Sequence, residues 1–155
     1  MMVASLSRRM AQAVIGICFS VSLAADPVNM NGDGVAIDGY DAVSYHLVDQ
    51  ARRGDSRFST RWRDATWYFV SEDNLRKFIA DPERYAPQYT GHCANGLSDG
   101  HKVPGDPEIY RIIDGRLYLF YSRWGQLQWA VDQQEQIRLA GEYWEQVRRE
   151  LGYQP

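Results

Sequence analysis

The chain has 155 residues, 45% of them hydrophobic and 13% aromatic, and a formal net charge of −3. That length suits one domain around one core, and the aromatic content is sufficient to build it. The acidic balance argues against a nucleic-acid or anionic-membrane partner, either of which would want a basic face.

The first residues read as a secretory signal. Arg8 and Arg9 form a positive n-region, and the uncharged, mostly apolar run from Met10 to Ala24 follows. That run is shorter than the roughly 20 apolar residues a transmembrane helix needs. Ser22-Leu23-Ala24 places small residues where signal peptidase reads, so cleavage after Ala24 or Ala25 is expected. Cleavage after Ala24 leaves residues 25–155 as one exported domain, not membrane-embedded, in the periplasm if the cell is Gram-negative. The mature charge falls to −5, because two arginines and no acids are lost. Of the two cysteines only Cys93 survives, so the exported domain has no internal disulfide and depends on its core.

Residues 26–34 read as a polar, Gly/Asn-rich entry segment, and Val35–Ile37 and Tyr40–Leu47 as apolar pieces in extended chain. Phe58–Trp62 alternates apolar and polar residues and pairs with Thr66–Val70 across Arg63-Asp64-Ala65, predicting a hairpin. Ser71 is a predicted N-cap, with Glu72 and Asp73 in the first turn of a helix that ends near Ala80 at Asp81-Pro82. Residues 91–105 form a long, Gly-rich connection carrying His92, Cys93 and His101, and long irregular segments in compact domains are often functional. Ile109–Ile113 and Leu117–Tyr121 predict a second hairpin around Asp114-Gly115. Ser122 caps a helical region in which Trp124, Leu127 and Val131 share one face and Ala140, Trp144, Val147 and Leu151 another, with a break at 132–136. No internal repeat is legible. The expected class is α+β: antiparallel sheet from two hairpins, a short helix between them, and C-terminal helices.

Five spaced motifs occur in order: residues 39–45 (GYDAVSY), 67–71 (WYFVS), 78–89 (FIADPERYAPQY), 91–94 (GHCA) and 104–107 (PGDP). Over roughly Val28 to Tyr121 the chain resembles the exported, free-standing branch of the YHS-domain family. The family's better-known branch is a small metal-binding domain with cysteines at three positions, which here are Asn29, Val70 and Asn74. A thiolate site for Zn²⁺ or Cu⁺ of that type is therefore not implied. In the exported branch a cysteine sits in the Gly-x-Cys-Ala segment, and some relatives carry selenocysteine there. The resemblance thus implies a redox role for Cys93.

Read from its own residues, Cys93 is either a small buried hydrophobe or a reactive thiol. Gly91, Asn95 and Gly96 suggest an accessible turn or helix start, where a thiolate is favoured. His101 or Lys102, across the Gly-rich loop, is expected to stabilise that thiolate. His92 is not, since adjacent side chains diverge. No Cys-x-x-Cys is present, so a redox cycle would run through a sulfenic acid or a mixed disulfide with an external thiol. Tyr40, Tyr45, Trp67, Tyr85 and Tyr89 are core anchors or an aromatic wall beside Cys93 for a small, glutathione-like thiol. The alternative is a copper-type soft-metal site from Cys93, His92 and His101, with Met30 as a further ligand. The third reading is a structural or interaction domain without chemistry.

Overall fold

The computed structural model describes residues 28–151; the expected signal segment lies outside them. The fold is α+β, as the sequence pattern implies. Its elements are α1 (Ala42–Val48), β1 (Asp55–Trp62), β2 (Ala65–Phe69), α2 (Glu72–Ala80), α3 (Pro82–Tyr85), α4 (Ala94–Ser98), β3 (Asp106–Ile113), β4 (Arg116–Phe120), α5 (Arg123–Trp129) and α6 (Gln133–Glu150). The two hairpins form two separate two-stranded antiparallel sheets. No helix among the described residues is long and apolar enough to cross a membrane.

Local chemistry explains most boundaries. Ser71 Oγ accepts from Asn74 N at 3.2 Å and Ser122 Oγ from Gly125 N at 3.1 Å, each starting a helix as predicted. Asp81 closes α2, and Pro82 then opens α3 at its first turn. The segment expected to be extended over 40–47 is instead mostly helix α1. Asp41 is its N-cap, accepting from Val43 N and Ser44 N. The apolar run could not reveal this, because a short buried helix and a short buried strand share the same hydrophobic pattern. The break before α6 falls at residues 130–132, slightly earlier than expected.

The described residues contain an internal structural repeat that the sequence does not reveal. The hairpins pair in the same register with an offset of 51 residues: Asp55↔Phe69 and Asp106↔Phe120, Trp62↔Ala65 and Ile113↔Arg116. Each carries its irregularity at the same place, between Asp55 and Ser59 and between Asp106 and Tyr110. Before each hairpin stands a turn of three consecutive left-handed residues, Ile37-Asp38-Gly39 and Tyr89-Thr90-Gly91. A short helix follows each turn, α1 and α4, and a Ser-capped helix follows each hairpin, α2 and α5. Gly54 N donates to Gly39 O at 2.8 Å and Gly105 N to Gly91 O at 3.1 Å. A Cβ on Gly54 would lie 2.5 Å from the Tyr68 backbone, and one on Gly105 2.6 Å from Leu119 Cβ, so both close approaches exclude a side chain. Residues 37–80 and 89–131 are therefore two copies of one unit. Few aligned residues remain identical, among them Gly39/Gly91, Ala42/Ala94, Phe69/Phe120 and Ser71/Ser122, which is too sparse a pattern to show in sequence.

One core cluster joins Trp67, Phe69, Phe78, Tyr45 and Ile37 to Leu117 and Leu119 of β4. A second gathers Cys93, Ala94, Tyr118, Phe120 and Trp129. Helix α6 lays Ala140, Trp144 and Val147 of the predicted face over Leu97 of α4, while Leu151, the fourth residue of that face, is exposed beyond the helix end.

Candidate functional site around Cys93

Cys93 is the N-cap of α4, the helix start that the Gly-rich sequence suggested, but the expected accessibility is absent: the residue is 3% exposed. Its backbone N donates to Val103 O at 2.9 Å, and residues 92 and 93 bridge to Pro104 and to Leu119 of β4. The sulfur accepts two main-chain N–H groups, from Gly96 at 3.3 Å and from Tyr121 at 3.1 Å. His101 and Lys102 are exposed, and the hydrogen-bond donors at the sulfur are the backbone amides of Gly96 and Tyr121. His101 contributes instead through its backbone, donating to Gly96 O at 2.7 Å.

The first half shows what this position accommodates. Asp41 occupies the place of Cys93: its backbone N donates to Arg52 O at 2.8 Å, the counterpart of the Cys93–Val103 bond. Asp41 Oδ1 caps α1, while Oδ2 accepts from Val70 N at 2.9 Å and from Asn74 Nδ2 at 2.7 Å. Val70 follows β2 as Tyr121 follows β4. A fully buried carboxylate and a buried sulfur therefore receive the same two kinds of donor, the first turn of the following helix and the amide beyond the hairpin. Asn74, the carboxylate's additional donor, has Gly125 as its counterpart. The sulfur accepts two N–H groups where the carboxylate has four donors, consistent with a single acceptor atom replacing two. Sequence reading passed over Asp41 because nothing in its spacing distinguishes it from an ordinary N-cap.

Val70 and Asn74, two of the three residues that the resemblance would match to cysteines, meet at Asp41 through hydrogen bonds. The third, Asn29, donates to Gly91 O at 3.0 Å and ties the entry segment to the second turn. Of the five aromatics expected as core anchors or as a wall, Tyr40, Tyr45, Trp67 and Tyr85 are anchors in the other core, and only Tyr89 packs in the cluster of Cys93. Tyr118, Phe120 and Trp129 form the wall instead, and the sequence reading had not singled them out for it. No group of three or more His, Cys, Asp and Glu that could hold a metal occurs among the described residues. Met30 is exposed in the entry segment.

His92 is buried against Trp144, ring centroids 5.4 Å apart, with Nδ1 3.0 Å from Tyr89 O. Desolvation holds its pKa below the ordinary value; the Tyr89 carbonyl opposes this and the Lys102 charge adds to it. His46, half-buried beside Tyr85, is lowered mainly by the same cause. Unfolding restores an ordinary value near 6.5, so below that pH the unfolded chain binds protons that the folded chain does not. Stability is therefore full above about pH 6.5 and falls as pH drops through that value, until the folded rings also protonate. Urea midpoints between pH 7.5 and 5 should show this decline, reduced in His92→Gln; an unchanged slope would assign it elsewhere. The exposed, ion-paired Asp55, Asp73 and Glu135 are held low and titrate below this window.

No family model matches the chain, and comparison with curated proteins and with solved structures finds no relative of it.

Proposed function

We propose that this chain is a single-cysteine thiol protein whose reacting atom is Cys93 Sγ. The observation that carries this reading is the equivalence of Cys93 to Asp41. The sulfur lies where the other half of the fold holds a carboxylate, with Gly96 N and Tyr121 N donating to it. Donors aimed at an atom favour negative charge on it, which is the form in which a thiol attacks.

The cycle consistent with one thiol begins when the Cys93 thiolate attacks a hydroperoxide, ROOH. The sulfur gains oxygen and becomes a sulfenic acid, and ROH leaves. A small external thiol then forms a mixed disulfide with Cys93 and releases water. A second external thiol attacks that disulfide, restoring the Cys93 thiol and leaving as the oxidised thiol pair. The resemblance to the exported YHS branch, with its selenocysteine-bearing relatives, supports the same assignment.

Burial of Cys93 favours one competing reading, a cap that never reacts. Treatment of native protein with hydrogen peroxide and a sulfenic-acid trap, read by intact mass, separates the two. The proposed function expects a single stoichiometric adduct on Cys93 in the folded state, and rapid, pH-dependent alkylation of the same thiol. Labelling that appears only on denaturation would leave Cys93 as a structural cap. A Cu⁺ titration addresses the soft-metal alternative; it would displace the thiol reading if one equivalent bound and were lost in Cys93→Ser.

A further inference from the structure

Tyr121, Trp124, Leu127 and Val131 are 66, 69, 57 and 86% exposed. Helical spacing places Trp124, Leu127 and Val131 along one side of α5 and the turn beyond it, opposite buried Gly125 and Trp129, and Tyr121 stands just ahead of the helix. The duplicated unit provides an internal control. Helix α2 buries Asn74 and Phe78 at the corresponding positions, yet the residues matching Trp124, Leu127 and Val131 are Asp73, Arg76 and Ala80. Asp73 pairs with Lys77 and Arg76 with Glu72, a solvated face. The fold thus places no demand for apolar residues there, and the second half has acquired a contiguous apolar stripe.

We propose that this stripe is the contact surface for a second copy of the same chain, packed antiparallel across a two-fold axis. Charge chooses that occupant. Exposed Arg123 directly precedes Trp124 at the start of α5, and exposed Asp132 directly follows Val131. Two-fold antiparallel packing sets Arg123 of each copy opposite Asp132 of the other, with Trp124 against Val131 and Leu127 near the axis. The available area agrees. Two mostly exposed aromatics with a leucine and a valine offer on the order of 500 Å² per copy. Two copies would then bury about 1,000 Å², the lower limit of a specific interface. The dimer is accordingly weak and reversible. A lipid surface is a poorer match, because the net charge is negative.

Sedimentation velocity on the purified native protein, from about 10 μM to about 1 mM, tests this. The expected result is a concentration-dependent shift from monomer to dimer. Leu127→Glu should weaken it at least about tenfold without changing thermal stability, since Leu127 is mostly exposed. Arg123→Asp and Asp132→Arg should each weaken association, and the double exchange should restore it. A monomer throughout, a dimer indifferent to Leu127→Glu, or a double exchange that fails to recover would each overturn the proposal. So would stripe-dependent flotation of a monomeric protein with phosphatidylcholine vesicles, which would assign the surface to lipid. Cys93→Ser should leave the dimer intact, so this test is independent of the thiol chemistry.

Discussion

Replacing Asp41 by alanine is expected to lower the unfolding free energy by about 3–5 kcal/mol, a large share of the total for a domain of this size. The carboxylate is fully buried and has four partners: Val43 N, Ser44 N, Val70 N and Asn74 Nδ2. Losing the N-cap costs roughly 1 kcal/mol, and each buried donor left without an acceptor roughly 1–3 kcal/mol more. Asp41→Asn should cost less, about 2–3 kcal/mol. Its single amide oxygen can cap α1 or receive Val70 N, and its NH₂ group then faces a donor. Urea unfolding measures both, with the shift expected in the midpoint and not in the slope. An alanine variant within about 1 kcal/mol of the parent would mean that the carboxylate is not the tie between hairpin and helix.

At Cys93 the ranking of substitutions decides what the sulfur does for the fold. If Cys93 is only a small apolar side chain, Ala and Val should be tolerated better than Ser, because they place no polar group in the core. If the sulfur is an acceptor, as its two N–H contacts indicate, Ser retains an acceptor while Ala and Val leave Gly96 N and Tyr121 N unpaired. The expected losses are about 1 kcal/mol for Cys93→Ser and about 2–4 kcal/mol for Cys93→Ala or Cys93→Val. Denaturant midpoints of the three variants supply the comparison. The opposite order would remove the parallel with Asp41 on which the proposed function rests, whatever the labelling experiment shows.

The sequence disclosed the local layer of this fold well. Asp114-Gly115 marked one hairpin, Ser71 and Ser122 marked helix starts, and Asp81-Pro82 marked a stop, each because the signal resides in the residues that make the structure. What it hid was relational. Helix α1 was invisible because its buried residues, Ala42, Val43, Ser44 and Tyr45, are consecutive and show no helical stripe. The duplication was invisible because its equivalences lie in main-chain hydrogen bonds and glycine clearances, which many side chains satisfy. For the site, the sequence identified Cys93 and its helix-start position. The donors at the sulfur were not legible, since amides such as Tyr121 N come from a strand end 28 residues away and have no sequence signature.

The two halves close loops of nearly equal length: Val70 N reaches Asp41 across 29 residues and Tyr121 N reaches Cys93 across 28. Closure entropy depends only weakly on length, so ordering the two loops carries nearly the same cost. The difference in their local stability then lies largely in the latch, an ionisable carboxylate with an added amide donor in one case and a sulfur in the other. Any covalent change at Cys93 acts on the second latch alone. Local opening at α4 and the residues just after β4 would break the sulfur latch while the Asp41 hydrogen bonds stay made, so exposure of the buried thiol is expected to need less than global unfolding.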